Sequence, residues 1–319
     1  MTNILVTGAA GQIGSELVPV LRERFGNDRV VAAAHHTPLP ADIASTGPTT
    51  MADVTDYKQL EEVISTFAVD CIFHMSSILS TTAESKRNVA HEVNINGTYN
   101  ILECAYQNNV RKVILPSSIA AFGAGSPKEM TPNDTLQKPD TVYGISKVFA
   151  ELLGNYYHGK LGLDVRGLRL PGVISWKTEP TAGTTDYAVE MFYGAIANDY
   201  YECYLRFDTM LPMMYMPDAI QAIIQISECN IKDLIHHADF NVHAFSFTPD
   251  DLAKSITRIN PRFRVSYNVD AGRQAIADSW PKSLDDSAAR VEWGWQPRFT
   301  METLVRDMYD NLKAKLYRH

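Results

Sequence analysis

Tyr143 stands four residues ahead of Lys147 in TVYGISK (141–147), a spacing that puts both side chains on one face of a helix. A phenol is a poor base: its pKa lies near ~10, and bringing it to ~7.5 takes about 3.4 kcal/mol of preference for the phenolate. One ammonium group ~6 Å away at an effective dielectric of ~20 offers about 2.8 kcal/mol before desolvation losses. The pair therefore predicts a tyrosine general base that draws a proton from an alcohol, given a second positive charge nearby. Ser117 and Ser118 end the run RKVILPSS (111–118). A hydroxyl at that strand end is placed to hydrogen-bond the substrate oxygen opposite the phenol.

The second charge has a source upstream. GAAGQIG (8–14) lies between the strand-like NILVTG (3–8) and the helical pattern QIGSELVPVLRERFG (12–26). Gly8, Gly11 and Gly14 fall where a chain must turn sharply and let a pyrophosphate approach its backbone, with the helix N-terminus offering N–H donors. This predicts a dinucleotide cradle, and an oxidised nicotinamide would add its positive charge to that of Lys147. The next strand, RVVAAA (29–34), has Ala34 where an acid usually takes the adenosine ribose hydroxyls. No arginine stands nearby to pair with a 2′-phosphate, so NAD is expected rather than NADP. His35 and His36 either touch the ribose or face water.

Such a site needs a rigid frame. Strand-like runs alternate with helical patterns through the first half: helix 57–67, strand 69–75, one long helix 83–109, strand 111–118, a helix from Tyr143 to about Lys160, and strand 164–174. This alternation predicts a doubly wound α/β fold with a parallel sheet, the Rossmann arrangement, over residues 1–175. Beyond residue 175 the alternation loosens: PTAGTTD (180–186) reads as a loop, 188–199 and 216–229 as helices, 240–247 and 264–269 as strands, and 251–259 and 301–316 as helices. A smaller, partly interleaved substrate lobe is expected over 176–319, with segments at about 210–247 returning to the main domain. The methionines of MMYM (213–216) read as core packing.

With 319 residues, 45% of them hydrophobic, the chain has enough material for a large core. A net charge of −8 argues against nucleic-acid or anionic-membrane partners and for a small-molecule substrate. Four scattered cysteines without a C-x-x-C pair fit a reducing compartment and no metal site. A buried strand begins at residue 3, leaving no room for a secretory leader, and no apolar run reaches the length of a membrane span. A cytoplasmic protein is expected, or one of an organelle matrix if a presequence has been removed.

With these motifs in order, the chain resembles the extended short-chain dehydrogenase/reductase family over almost its whole length. TGAAGQIG is similar to that family's nucleotide loop, which implies cofactor contacts from Gly8, Gly11, Gln12, Ile13 and Gly14. Tyr143 and Lys147 match its catalytic pair, and Ser118 falls where the family keeps a catalytic serine or threonine. The resemblance further implies that Asp53 and Val54 flank the adenine, that Asn94 lies near the active site, and that Lys147 also holds the nicotinamide ribose. Pro171 in LPGVIS would pack on the nicotinamide side, and a homodimer would form through helix 83–109 and the helix after Tyr143. GTTDYAVEMF (183–192), LPMMYMPDAI (211–220) and SWPKSLDDSAAR (279–290) resemble the branch that oxidises L-threonine. That branch implies Ser80, Thr184, Thr185 and Trp280 as substrate contacts; Asp186 either attracts an ammonium group or caps the helix that follows. A sugar-nucleotide epimerase or dehydratase of the same family and a non-catalytic dinucleotide sensor are the alternatives.

Overall fold

The computed structural model describes residues 2–181 and 183–317. Ala182, within the expected loop 180–186, lies outside the described residues. From the N-terminus the chain runs β1 (Ile4–Thr7), α1 (Gln12–Phe25), β2 (Val30–Ala34), α2 (Ala41–Thr46), β3 (Thr49–Met51), α3 (Tyr57–Thr66) and β4 (Cys71–His74). There follow α4 (Ser80–Ser85), α5 (Arg87–Ala90), a π-helical turn (His91–Asn96), α6 (Gly97–Gln107), β5 (Lys112–Ile114), β6 (Ser117–Ser118), α7 (Val142–Leu161) and β7 (Asp164–Arg166). Six of these strands form a parallel sheet in the order β3-β2-β1-β4-β5-β7. The order reverses between β1 and β4, which opens a crevice at their carboxyl ends.

Both faces of the sheet are covered, so its central strands β1 and β4 are buried throughout and apolar up to Thr7 and His74 at their carboxyl ends. Leu60, Ile101, Leu102, Ala150 and Tyr157 bring α3, α6 and α7 against one face. Leu17, Leu21, Ile220 and Ile223 join α1 to α9 (Met216–Glu228) on the other. The one edge strand that the residue pattern fails to announce is β3, whose Thr-Thr-Met alternates between exposed and half-buried positions.

Two expected elements are broken. The single helix 83–109 is interrupted at Lys86, whose φ of −126° and ψ of 57° leave the helical region, and it passes through a π-turn before α6. The run 164–174 hands the chain across three sheets. After β7 in the main sheet, β8 (Leu168–Leu170) pairs with β6, and β9 (Gly172–Ile174) pairs with a strand of the lobe. The breaks fall at Gly167 and Pro171; the proline has no N–H to give a ladder. Pro116 likewise separates β5 from β6 in the expected strand 111–118.

The remainder comprises α8 (Tyr187–Ala197), β10 (Tyr200–Cys203), β11 (Leu211–Tyr215), β12 (Phe240–Asn241), β13 (Phe245–Phe247), α10 (Pro249–Ile259), β14 (Arg264–Tyr267), α11 (Ala271–Ser279), α12 (Ser287–Trp293) and α13 (Met301–Leu316). Met191, Phe192, Leu252, Ile256, Leu304 and Met308 form a separate core there, into which Met213 and Tyr215 pack. Met214 and Met216 face the core of the main sheet instead, so MMYM joins the two.

Helix α7, which carries Tyr143 and Lys147, is tied down at both its start and its middle. Thr141 caps it through the Gly144 N–H at 3.1 Å, and Glu84 accepts from the Val142 N–H at 2.7 Å, a carboxylate suited to a helix N-terminus. Glu151 is buried, paired with Arg169 at 3.0 and 2.8 Å, and accepts from Gln137 at 2.7 Å and from the Ser117 hydroxyl. Removing one partner of such a pair strands the other charge. Glu151→Gln is therefore expected to lower unfolding stability by about 3 kcal/mol, read as an earlier denaturant midpoint. An unchanged midpoint would mean that the pair does not anchor α7.

Candidate active site

The turn from β1 to α1 requires glycine at Gly8 and at Gly14. Gly8 has φ of +64°, and a side-chain carbon there would lie 2.7 Å from the Met75 carbonyl carbon. One at Gly14 would collide with the Gly8 carbonyl oxygen. The backbone thus leaves a bare cradle at the N-terminus of α1, which fits the pyrophosphate of a dinucleotide. Gly8, Gly11, His35, His36, Asp53 and Val54 line a hollow of about 280 Å³ on one side of this turn.

On the other side, at the carboxyl ends of β4 and β6, a second cavity of about 150 Å³ brings together Gln12, Ile13, Ser80, Ser118, Tyr143, Lys147, Pro171, Thr184, Thr185, Asp186 and Trp280. Residues far apart in the chain meet there because the loop 183–186 and Trp280 line the cavity together with the carboxyl ends of the strands. Ser76 and Ser77 line both hollows, so the two form halves of one groove. Ser117, by contrast, spends its hydroxyl on buried Glu151, so of the two serines ending this strand Ser118 is the one placed to serve the cleft.

The sequence profile of the NAD dependent epimerase/dehydratase family matches residues 4–233. The chain belongs to this family. It is 44% identical over 305 residues to the mitochondrial L-threonine 3-dehydrogenase of Bos taurus, covering 96% of this chain and 81% of that protein. The crystal structure of L-threonine dehydrogenase from Clostridium difficile superposes with a TM-score of 0.96 at 46% identity, over 99% and 98% of the two chains. A UDP-glucose 4-epimerase from Thermotoga maritima shares the fold, with a TM-score of 0.85 and 21% identity over 99% and 100%. NAD is the cofactor of this family, and the bare glycine cradle fits its pyrophosphate.

Within this family member the tyrosine and lysine are not activated by each other alone. Lys147 Nζ lies 5.4 Å from the centre of the Tyr143 ring and donates to the Pro116 carbonyl at 2.9 Å. Burial pushes the Tyr143 phenol up to about 12, outweighing the opposing hydrogen bond from Ser118. Burial also brings Lys147 down to about 8, against the pull of Glu151. In the protein alone, loss of water dominates both groups, so the desolvation cost set beside the ammonium's attraction is large and the second positive charge expected from the cofactor carries correspondingly more of the activation.

Three further side chains shape the cleft. The Asp186 carboxylate does not cap α8; Oδ2 accepts from the Thr181 N–H at 2.5 Å, the Thr181 hydroxyl at 2.7 Å and the Gly183 N–H at 3.2 Å. It fixes the loop that covers the cleft. Asn94 is buried in the π-turn and clasps the backbone of Ile78, accepting at 2.8 Å and donating at 2.9 Å. It lines neither large hollow, so it bears on the groove through the loop 76–79. His74 was not anticipated: it is buried at the end of β4, its Nδ1 lies 2.9 Å from the Thr7 hydroxyl, and among the described residues its Nε2 has no hydrogen-bond partner. Burial, reinforced by Lys147, holds it down to about 3 and hence neutral. A histidine ending a strand one chain-crossing from the glycine loop was the available signal.

The lysine shift makes a stability prediction whose sign is fixed. Below about 8 the folded state holds an ammonium that it disfavours relative to the unfolded chain, where the ordinary value is 10.5. The cost, about 3 kcal/mol at full strength, fades as pH rises from 8 to 10.5. Lys147→Met should therefore raise the denaturant midpoint at neutral pH, with the gain shrinking through that window. A destabilised variant with no such pH trend would contradict it.

Proposed function

We propose that the protein oxidises L-threonine to 2-amino-3-ketobutyrate, with NAD as the hydride acceptor. The observation that carries this reading is the single small cavity in which Tyr143, Ser118 and Lys147 meet Thr184, Thr185 and Trp280. The Thr184 hydroxyl there is buried and, among the described residues, has no hydrogen-bond partner, which leaves it free for a polar ligand. The likeness to threonine dehydrogenases extends across the lobe as well as the nucleotide half.

In this reading the Tyr143 oxygen takes the proton from the threonine hydroxyl, and the Ser118 hydroxyl donates to the same oxygen as it becomes a carbonyl. Bound oxidised NAD supplies the acceptor for the hydride leaving the β-carbon, and a positive charge that favours the phenolate. Lys147 adds its charge and holds the adjoining ribose. Thr184, Thr185 and Ser80 hold the amino and carboxylate groups, and Trp280 closes the wall, so that the reacting carbon is presented in one orientation. Asp186 sets the position of that loop and adds a negative charge for the ammonium.

The four cysteines are free thiols, which fits a reducing compartment, cytoplasm or organelle matrix. Among the described residues no helix is long and apolar enough to cross a membrane. A second copy of the chain is the partner. Tyr99 and Tyr106 on α6 and Ile145, Leu152 and Tyr156 on α7 recur at helical spacing and are 39–62% exposed, an apolar stripe suited to four-helix packing between two copies.

Incubation with NAD and L-threonine is expected to raise absorbance at the reduced-nicotinamide band, and Tyr143→Phe to cut the rate by about 10³-fold while still binding NAD. Turnover of UDP-glucose in place of threonine would point to the epimerase reading. Leu152→Glu should convert a dimer to a monomer in sedimentation; a wild-type chain that sediments as a monomer would remove the dimer.

A further inference from the structure

The end of β2 lacks an acid, yet the fold delivers one from the neighbouring strand. β3 runs parallel to β2 with Met51 opposite Ala34, and the Ala52 N–H donates to the Ala34 carbonyl at 2.9 Å. This register carries Asp53 to the end of β2, where its Oδ2 lies 3.3 Å from His35 Nε2. The other carboxylate oxygen is already committed, accepting from the Thr55 N–H at 2.9 Å and the Thr55 hydroxyl at 2.8 Å. The carboxylate is therefore fixed, with one oxygen left for the imidazole. His36 packs beside His35 with ring centres 3.7 Å apart. Both histidines line the hollow beside Gly8 and Gly11, and among its described lining residues the only other titratable group is Asp53; none is arginine or lysine.

We propose that His35, held by Asp53, reads the adenosine ribose and sets the choice of NAD over NADP. A carboxylate next to Nε2 keeps the proton on that nitrogen. Nδ1 then presents a lone pair, which accepts a hydrogen bond from a ribose hydroxyl as the absent strand-end carboxylate would. A 2′-phosphate brings no hydrogen to donate at neutral pH and meets both the lone pair and the Asp53 charge, with no guanidinium or ammonium to compensate it. Asp53 thus acts as a positioning residue, and His35 is the side chain that contacts the cofactor.

This rests on the NAD-dependent reading above, and direct binding separates the two. Dissociation constants for NAD and for NADP, measured by titration calorimetry without threonine, are compared for the wild type, His35→Ala and His35→Arg. The wild type should prefer NAD. His35→Ala should weaken NAD by about tenfold, the effect of one lost hydrogen bond, and leave NADP nearly unchanged, so that the preference collapses. His35→Arg should strengthen NADP by about tenfold through pairing with the 2′-phosphate. A wild type that binds neither dinucleotide overturns the functional reading as well. A wild type that prefers NAD, together with a His35→Ala variant that keeps both constants within about twofold, overturns this inference alone.

Discussion

Removing water from around a phenol and an ammonium pushes their protons in opposite directions, and the cleft beneath the 183–186 loop does both at once. Tyr143 is driven up to about 12 and Lys147 down to about 8, so each is held nearer its neutral form than in solution. His74 is held neutral by the same dry surroundings. A site in this state has no strong base of its own. It acquires one when a cation enters, because a low-dielectric cleft strengthens the attraction between that cation and a phenolate. Chemistry is thereby coupled to occupancy of the groove.

The frame around the cleft keeps this desolvated pair in register. Helix α7 is held at its start by Thr141 and Glu84 and at its third turn by the Glu151–Arg169 pair. Asn94 holds the loop 76–79, whose Ser76 and Ser77 line both halves of the groove. Asp186 holds the covering loop from the lobe side. Glu151, Asn94 and Asp186 act on three different segments, and each is buried, so the groove's walls are held by polar side chains largely withdrawn from water.

The glycine loop, the Tyr-Lys spacing and the central strands were legible because each is local: strand, turn and helix follow one another within a few residues. The placement of Ser80, Thr184, Thr185 and Trp280 in one cavity came from family likeness, since contacts between segments 100 residues apart leave no periodic trace. Three features escaped because tertiary packing decides them. The break at Lys86 overrides a continuous helical pattern, β3 is a polar edge strand, and 164–174 is one apolar run divided among three sheets. The size of the desolvation cost at the tyrosine was not legible for a related reason: spacing reveals a neighbouring charge and is silent on the water lost around it.

The most direct test is the ionisation of Tyr143 itself, followed as the phenolate difference spectrum between the wild type and Tyr143→Phe across alkaline pH, with and without NAD. The account predicts that without NAD this tyrosine stays protonated well beyond the ordinary value of 10.0, and that NAD moves its titration markedly downward. A tyrosine that titrates at its ordinary value without NAD, and does not move when NAD is added, would contradict it.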